Sequence, residues 1–364
     1  MAFRESNAEL AERHRGRSLH QFRHFEFPDT LSLEIEFMSD IWTFHSAGQI
    51  VFGPRSAAQV GQIATRLGLQ RVCIVTDEAL IAAGLLDGVR GSLIEAGIAV
   101  EVFEGDEPEP SLAAGESCIK QARRYNADGI LGLGGGSNMD LAKAAATVVA
   151  HGGTIRDYVG DDQVPGPVLP LICLPTTAGT GSEVTFAAVL TDTENELKVP
   201  ILSNYIRPAV AIVDPQLTLS CPAKVTADSG IDALTHAIEA YTAIDNRQFP
   251  IPEGEKSVYQ GGNPLSTCLA EQAITLIGKH LMQAVNEPNN LMAREAMALA
   301  ATLAGLAFAN SGVALVHALQ RQSVEQRIQH TGRAMDSCYP TSCGSICLHA
   351  QRKRRGSQTS WVAI

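Results

Sequence analysis

Residues 230–241 read G-I-D-A-L-T-H-A-I-E-A-Y, with Asp232 and His236 four apart and no glycine or proline after Gly230. At 3.6 residues per turn, such a pair sits on one helix face, one turn apart. A carboxylate and an imidazole placed this way can grip one divalent cation, and a mixed oxygen and nitrogen donor set suits iron(II), zinc or manganese. Taken alone, D-x-x-x-H is more often an Asp–His hydrogen bond on a helix surface, because polar pairs at this spacing are ordinary. The rest of the chain has to decide.

Three further stretches carry residues suited to ligand chemistry. Gly134-Gly135-Gly136-Ser137-Asn138-Met139-Asp140 follows an apolar run and precedes a helical pattern at 141–150. Glycines at such a turn let backbone approach a pyrophosphate, and the helix N-terminus offers unpaired N–H groups. The spacing is not G-x-G-x-x-G, and a plain tight turn fits equally well. Asp77 closes the run R-V-C-I-V-T-D. It could accept hydrogen bonds from an adenosine ribose, although a lone aspartate there is more often a turn or cap residue. Residues 176–183, T-T-A-G-T-G-S-E, put small hydroxyl side chains at a strand end, as a ligand crevice or a polar loop would.

The elements that must position these residues are legible from hydrophobic patterning. Short continuous apolar runs at 71–77, 97–103, 127–133, 169–175 and 210–214 read as strands buried on both faces. Residues 41–54 give a further strand and a turn, and 85–88 a helix break. Alternation with helical stretches predicts an α/β, Rossmann-like nucleotide-binding domain with a parallel sheet over 41–215. Helical patterns at 228–242, 264–285 and 290–309 predict an all-α domain from 216, with 244–262 as a surface loop. Residues 1–40 read as a polar extension without identifiable chemistry. Two domains suit 364 residues.

A formal charge of −11 and an isoelectric point near 5.4 argue against nucleic acid or an anionic membrane as partner. No uninterrupted apolar run reaches the roughly 18 residues of a membrane span. The N-terminus lacks the apolar stretch of a secretory signal, which predicts a cytoplasmic setting. Five of the eight cysteines are scattered, mostly in apolar runs, as buried free thiols would be, while Cys338, Cys343 and Cys347 cluster near the end.

Taken together, G-G-G-S-N-M-D-L-A-K at 134–143, P-T-T-A-G-T-G-S-E at 175–183, the 230–241 motif and N-S-G-V-A-L-V-H at 310–317 resemble the iron-containing (group III) alcohol dehydrogenases over residues 41–320. The resemblance implies a nucleotide-binding α/β domain, a helical domain, and a ferrous or zinc ion between them. In that family one aspartate and three histidines hold the metal; Asp232, His236 and His317 match three of the four. Gly134, Gly135, Gly136, Ser137 and Asp140 match the pyrophosphate loop, Thr176, Thr177 and Thr180 match cofactor contacts, Lys198 a cofactor-side lysine, and Asp77 the ribose position. A carboxylate there favours NAD over NADP. The implied reaction lowers an alcohol's pKa at a Lewis acid and passes hydride from the carbinol carbon to the nicotinamide. A small alcohol or aldehyde is the implied substrate, and the family suggests a dimer or larger. Tyr259-Gln260-Gly261-Gly262-Asn263-Pro264 leans toward the hydroxyacid–oxoacid transhydrogenases of the same fold; a non-catalytic NAD-binding remnant is a third reading.

After Gln320 the resemblance stops: apolar periodicity ends and Arg352-Lys353-Arg354-Arg355 appears in an otherwise acidic chain. Permitted codons for residues 330–337, read two bases later, spell His-Gly-Ser-Gly-Asn-Gly-Leu, the family's fourth-ligand segment. The expectation is therefore an out-of-frame tail over 321–364, a truncated helical domain over 216–320 and impaired activity. On this reading His330 is not a ligand and the three-cysteine cluster is accidental.

Overall fold

The computed structural model describes residues 41–105, 107, 109–248, 257–314 and 316–317. The expected polar extension at 1–40 and the expected out-of-frame tail, with His330 and its cysteines, lie outside the described residues.

Nine strands occur among the described residues. Six form one sheet: β1 (Gln49–Phe52), β2 (Arg71–Asp77), β3 (Ala99–Gly105), β4 (Gly129–Gly134), β6 (Leu171–Pro175) and β9 (Val210–Val213). Their order is β1-β9-β6-β4-β2-β3, and every neighbouring pair is parallel. β4, β6 and β9 are buried along their whole length, the condition that selects uninterrupted apolar runs.

Helices cover both faces: α1 (Val60–Arg66), α2 (Glu78–Ala82), α3 (Leu85–Glu95), α4 (Leu112–Tyr125) and α5 (Gly136–His151). One core joins Ile119, Met139, Val148 and Leu171, and the other joins Val60, Leu93, Leu131 and Ile212. Each such side chain contributes about 1.5–3 kcal/mol when fully buried. The chain passes from β2 outward to β3, then crosses back to β4 on the opposite side of β2. That reversal opens a crevice at the carboxyl ends of β2 and β4, where open α/β sheets bind ligands. Asp77 and Gly134 end those two strands.

The helical part consists of α6 (Ala223–Thr242), α7 (Pro264–Asn286) and α8 (Leu291–Ser311), and it belongs with the sheet to one compact unit that begins at Trp42. α8 is alanine-rich and buried almost throughout its second half. By length and composition alone it could cross a membrane; here its apolar surface is covered by α6, α7 and the sheet domain.

Three details differ from the sequence reading. The helix break falls at Gly84, whose φ of 75° puts it in the left-handed region, and Leu85 already starts α3. α5 begins at Gly136, five residues before the apolar pattern does. A second sheet, β5-β8-β7, is formed by β5 (Gly160–Asp161) with the antiparallel pair β7 (Ala187–Asp192) and β8 (Leu197–Leu202). Its turn is organised by Asp192, which accepts hydrogen bonds from the Glu194 and Asn195 backbone, and by Glu196 at φ 54°. No glycine marks that turn, which is why the pattern is silent there.

Candidate metal and nucleotide site

α6 is fixed at its start by Arg294 of α8, whose guanidinium donates to Thr226 Oγ1 at 2.8 Å and to the Cys221 carbonyl at 3.2 Å. Nearly two turns further on, Asp232, His236 and Glu239 share a buried face. His317 arrives six residues beyond the end of α8. Its ring stacks on that of His236 at 4.5 Å, and Phe308 covers the His236 ring at 4.1 Å.

Asp232, His236 and His317 each offer one ligand atom, all within 4.8 Å of one another. Asp232 Oδ2 lies 3.9 Å from His236 Nδ1, and Asp232 Oδ1 lies 4.0 Å from His317 Nε2. Those separations are too long for hydrogen bonds. Asp232 Oδ1, His236 Nδ1 and His317 Nε2 are nonetheless buried with no partner. A buried, unsatisfied polar atom costs about 1–3 kcal/mol, so three converging on one point describe a place built for a shared cation. The donor set of one carboxylate oxygen and two imidazole nitrogens fits iron(II) or zinc.

Burial pushes the Asp232 carboxyl up to about 6, with the His317 charge opposing. Burial also pushes His236 well below its ordinary value, helped by the His317 charge. A neutral imidazole presents a lone pair, the form a metal requires. Burial raises Glu239, but hydrogen bonds from His317 and the nearby backbone outweigh it and hold that carboxyl below its usual range. Glu239 lies in the same motif, and its D-x-x-x-H-x-x-E spacing is the signal that marks it. Phe308, distant in sequence, had none.

The nucleotide-side candidates fall into two groups. Asp77, Gly134, Gly135 and Gly136 meet at the crevice between β2 and β4. Asp77 caps α2 through Leu80 N at 3.0 Å and accepts from Asn138 Nδ2 at 2.7 Å. Gly135 stands at the N-cap of α5 with no side chain to fill it, and Ser137 follows in the first turn. Thr176, Thr177 and Thr180 are adjacent: Thr176 N bonds the Gly134 carbonyl at 3.0 Å. A Cβ on Gly135 would lie 3.6 Å from Thr177 Oγ1, and one on Gly136 2.8 Å from Thr180 Cγ2.

Asp140 and Lys198 stand apart from this loop. Both Asp140 oxygens are occupied inside the protein, by Ser182 Oγ at 2.7 Å and Val189 N at 2.9 Å. Lys198 sits on β8, bonded to Glu109 at 2.5 Å and Thr191 at 2.8 Å. Beneath the loops, Lys143 is wholly buried and donates to Ser182 Oγ, Thr185 Oγ1 and the Ala187 carbonyl at 2.8, 3.1 and 2.7 Å. The 175–183 loop therefore joins three bodies. Ser182 ties it to α5. Gly179 packs against Ser229 of α6 and bonds His236. A Cβ on Gly181 would come within 2.6 Å of the Gly305 Cα on α8.

Known proteins resemble this chain in sequence and in fold. The family model for iron-containing alcohol dehydrogenase matches residues 47–215, and the model for the C-terminal part of the same family matches 255–354. The chain is 39% identical over 272 residues to an NAD-dependent methanol dehydrogenase of Bacillus methanolicus, spanning 75% of this chain and 67% of that protein. It is 35% identical over 283 residues to a mitochondrial hydroxyacid-oxoacid transhydrogenase of Xenopus tropicalis, covering 75% and 61%. A crystal structure of 1,3-propanediol oxidoreductase superposes with a TM-score of 0.74 at 37% identity, covering 81% of this chain and 73% of that one. The chain thus spans about two thirds of the length of the curated relatives it matches.

Proposed function

This chain belongs to the iron-containing alcohol dehydrogenase family, and we propose that it transfers hydride between a small alcohol and NAD at a divalent metal held by Asp232, His236 and His317. The observation that carries the reading is the convergence of three buried, unpartnered ligand atoms on one point. A bound iron(II) or zinc ion would supply Lewis acidity, lowering the pKa of an alcohol hydroxyl. The chain's own residues do the rest. His236 offers a neutral lone pair, and the Phe308 and His317 rings close both of its faces against water. Gly134, Gly135 and Gly136 admit the pyrophosphate to the N-terminus of α5, beside Ser137, Thr176, Thr177 and Thr180. Asp77 accepts the adenosine ribose; a carboxylate has about four acceptor sites, so its two existing bonds leave room. Its charge disfavours a 2′-phosphate, hence NAD. Asp140 acts indirectly, by holding Ser182 of the threonine loop, and Lys198 lines the cofactor side from the second sheet.

The test is to strip the full chain of metal, titrate iron(II) without oxygen, and follow alcohol-dependent NADH formation. One bound ion per chain is expected, with NADH formation impaired by the frame change proposed below; a chain that binds no ion sinks the reading. A second reading, hydroxyacid–oxoacid transhydrogenation, is favoured by the transhydrogenase relative and by the Tyr259–Pro264 segment. It predicts a nicotinamide that does not exchange with free NAD. The non-catalytic remnant predicts NAD binding with no metal. The family's fourth ligand has no counterpart among the described residues; resequencing the coding DNA across positions 315–330 tests the frame change that we propose beyond them.

A further inference from the structure

We propose that Glu239 is a positioning residue that sets the tautomer of His317, so that Nε2 of that ring carries the lone pair facing Asp232 and His236. The inference rests on the metal reading above and deepens it. Glu239 is fully buried on α6, three residues beyond His236 and seven beyond Asp232, and so shares their face. Its Oε2 lies 2.5 Å from His317 Nδ1, and its Oε1 accepts from the Val316 backbone N–H at 2.7 Å and the His317 N–H at 3.4 Å. Both oxygens are thus spent on the segment that delivers His317.

An ionised carboxylate can only accept, so the bond at 2.5 Å places the ring proton on Nδ1. In neutral imidazole the other nitrogen, Nε2, is then the acceptor, and that is the atom left without a partner near Asp232. A carboxylate behind a ligating histidine fixes its orientation and raises its basicity, and losing such a partner typically weakens metal binding 10–100-fold. No other described side chain hydrogen-bonds the His317 ring, which stacks on His236 and holds its Nε2 4.0 Å from Asp232 Oδ1.

Glu239→Gln separates this role from simple anchoring. The amide oxygen keeps the two backbone bonds, while its NH₂ faces Nδ1 and drives the ring proton onto Nε2. Zinc affinity is measured on the metal-stripped full chain by competition with a chromophoric chelator, alongside the melting temperature of the metal-free protein. We expect Glu239→Gln to weaken zinc roughly 10–100-fold in the wild-type background and to add nothing in a His317→Ala background. Equal affinity for Glu239→Gln and wild type, or the same loss with and without His317, overturns the proposal. A measurement on the wild type alone covers a Gln variant that fails to fold: imidazole ¹⁵N shifts of the metal-free chain should show His317 protonated at Nδ1. Protonation at Nε2 overturns it. Failure of the wild type to bind zinc would instead count against the metal reading, because the tautomer measurement needs no metal.

Discussion

The nucleotide crevice and the cluster at Asp232 treat their charged side chains in opposite ways. Around the nucleotide crevice the charged groups are satisfied: Lys143 has three acceptors, Asp140 two donors, and Asp77 a helix cap and an amide. In the helical half, three of the four polar groups around Asp232 end in atoms with no partner. A satisfied network is finished structure that shapes a cradle. An unsatisfied, convergent one stores a cost that only a ligand removes. The contrast teaches that the nucleotide side works through backbone shape and the metal side through donor atoms, so the two should fail differently when mutated.

The largest effect is expected on the metal side. Asp232→Ala or His236→Ala removes one of three donors, and stoichiometric metal binding should disappear, together with any residual alcohol-dependent NADH formation, while NAD binding stays within a few-fold. Calorimetry with NAD on the metal-free variants checks the second half; loss of NAD binding would erase the contrast. Asp232 must also shed its proton to ligate. Since burial holds it at about 6, apparent metal affinity should fall as the pH drops through that value. The ion binds the folded chain alone, so 100-fold excess over its dissociation constant should add about 2.7 kcal/mol of stability, and a chelator should remove it.

On the nucleotide side the largest loss is one of stability. Lys143→Met keeps the chain length but leaves Ser182, Thr185, the Ala187 carbonyl and the nearby Asp140 without their cation. Breaking a buried charged network at one member costs about 3–5 kcal/mol. Urea unfolding should show a lowered midpoint with or without metal; a metal-dependent loss would mean that Lys143 belongs to the metal side.

How far the sequence announced each half follows from the same contrast. Five of the six parallel strands were legible to within two or three residues, because burial forces apolar runs such as 71–77, while β1, at the sheet edge, starts eight residues later than the 41–54 reading. Helical spacing put Asp232 and His236 on one face, while only the resemblance, not the spacing, pointed to a metal there. The β7–β8 pair was silent: its turn is held by the Asp192 side chain and Glu196 at positive φ rather than by glycine. Glu239 was in plain sight, but its role depends on His317, brought to it across 78 positions of sequence. Asp140 and Lys198 were read toward the cofactor by resemblance, and spacing could not reveal that Ser182 and Glu109 already engage them.

A smaller effect should appear where the halves meet. Gly181 has φ 63°, and a Cβ there would sit 2.6 Å from the Gly305 Cα. Gly181→Ala should cost about 1–3 kcal/mol through overpacking and shift the 175–183 loop, which touches both sites. Metal affinity and the NAD dissociation constant should then weaken together, unlike in any variant above. A variant in which only one of the two weakens would show that the loop does not couple them.

The smallest effect tests whether the nucleotide side is shape alone. Asn138 donates to Asp77 at 2.7 Å and to the Leu133 carbonyl at 3.4 Å, while a Cβ on Gly134 would lie 2.1 Å from the Asn138 amide nitrogen. The asparagine thus clamps the ribose-side carboxylate to the glycine turn. Asn138→Ala removes one charge-assisted hydrogen bond, worth about 1.5–3 kcal/mol, and part of that returns because Asp77 is only half-buried and water can replace the donor. The expected result is a net loss near the lower end, with a raised KM for NAD and an unchanged KM for the alcohol. Metal affinity should not move. If KM for NAD also stays put, Asp77 does not depend on its clamp, and the cradle is set by Gly134, Gly135 and Gly136 without help from side chains.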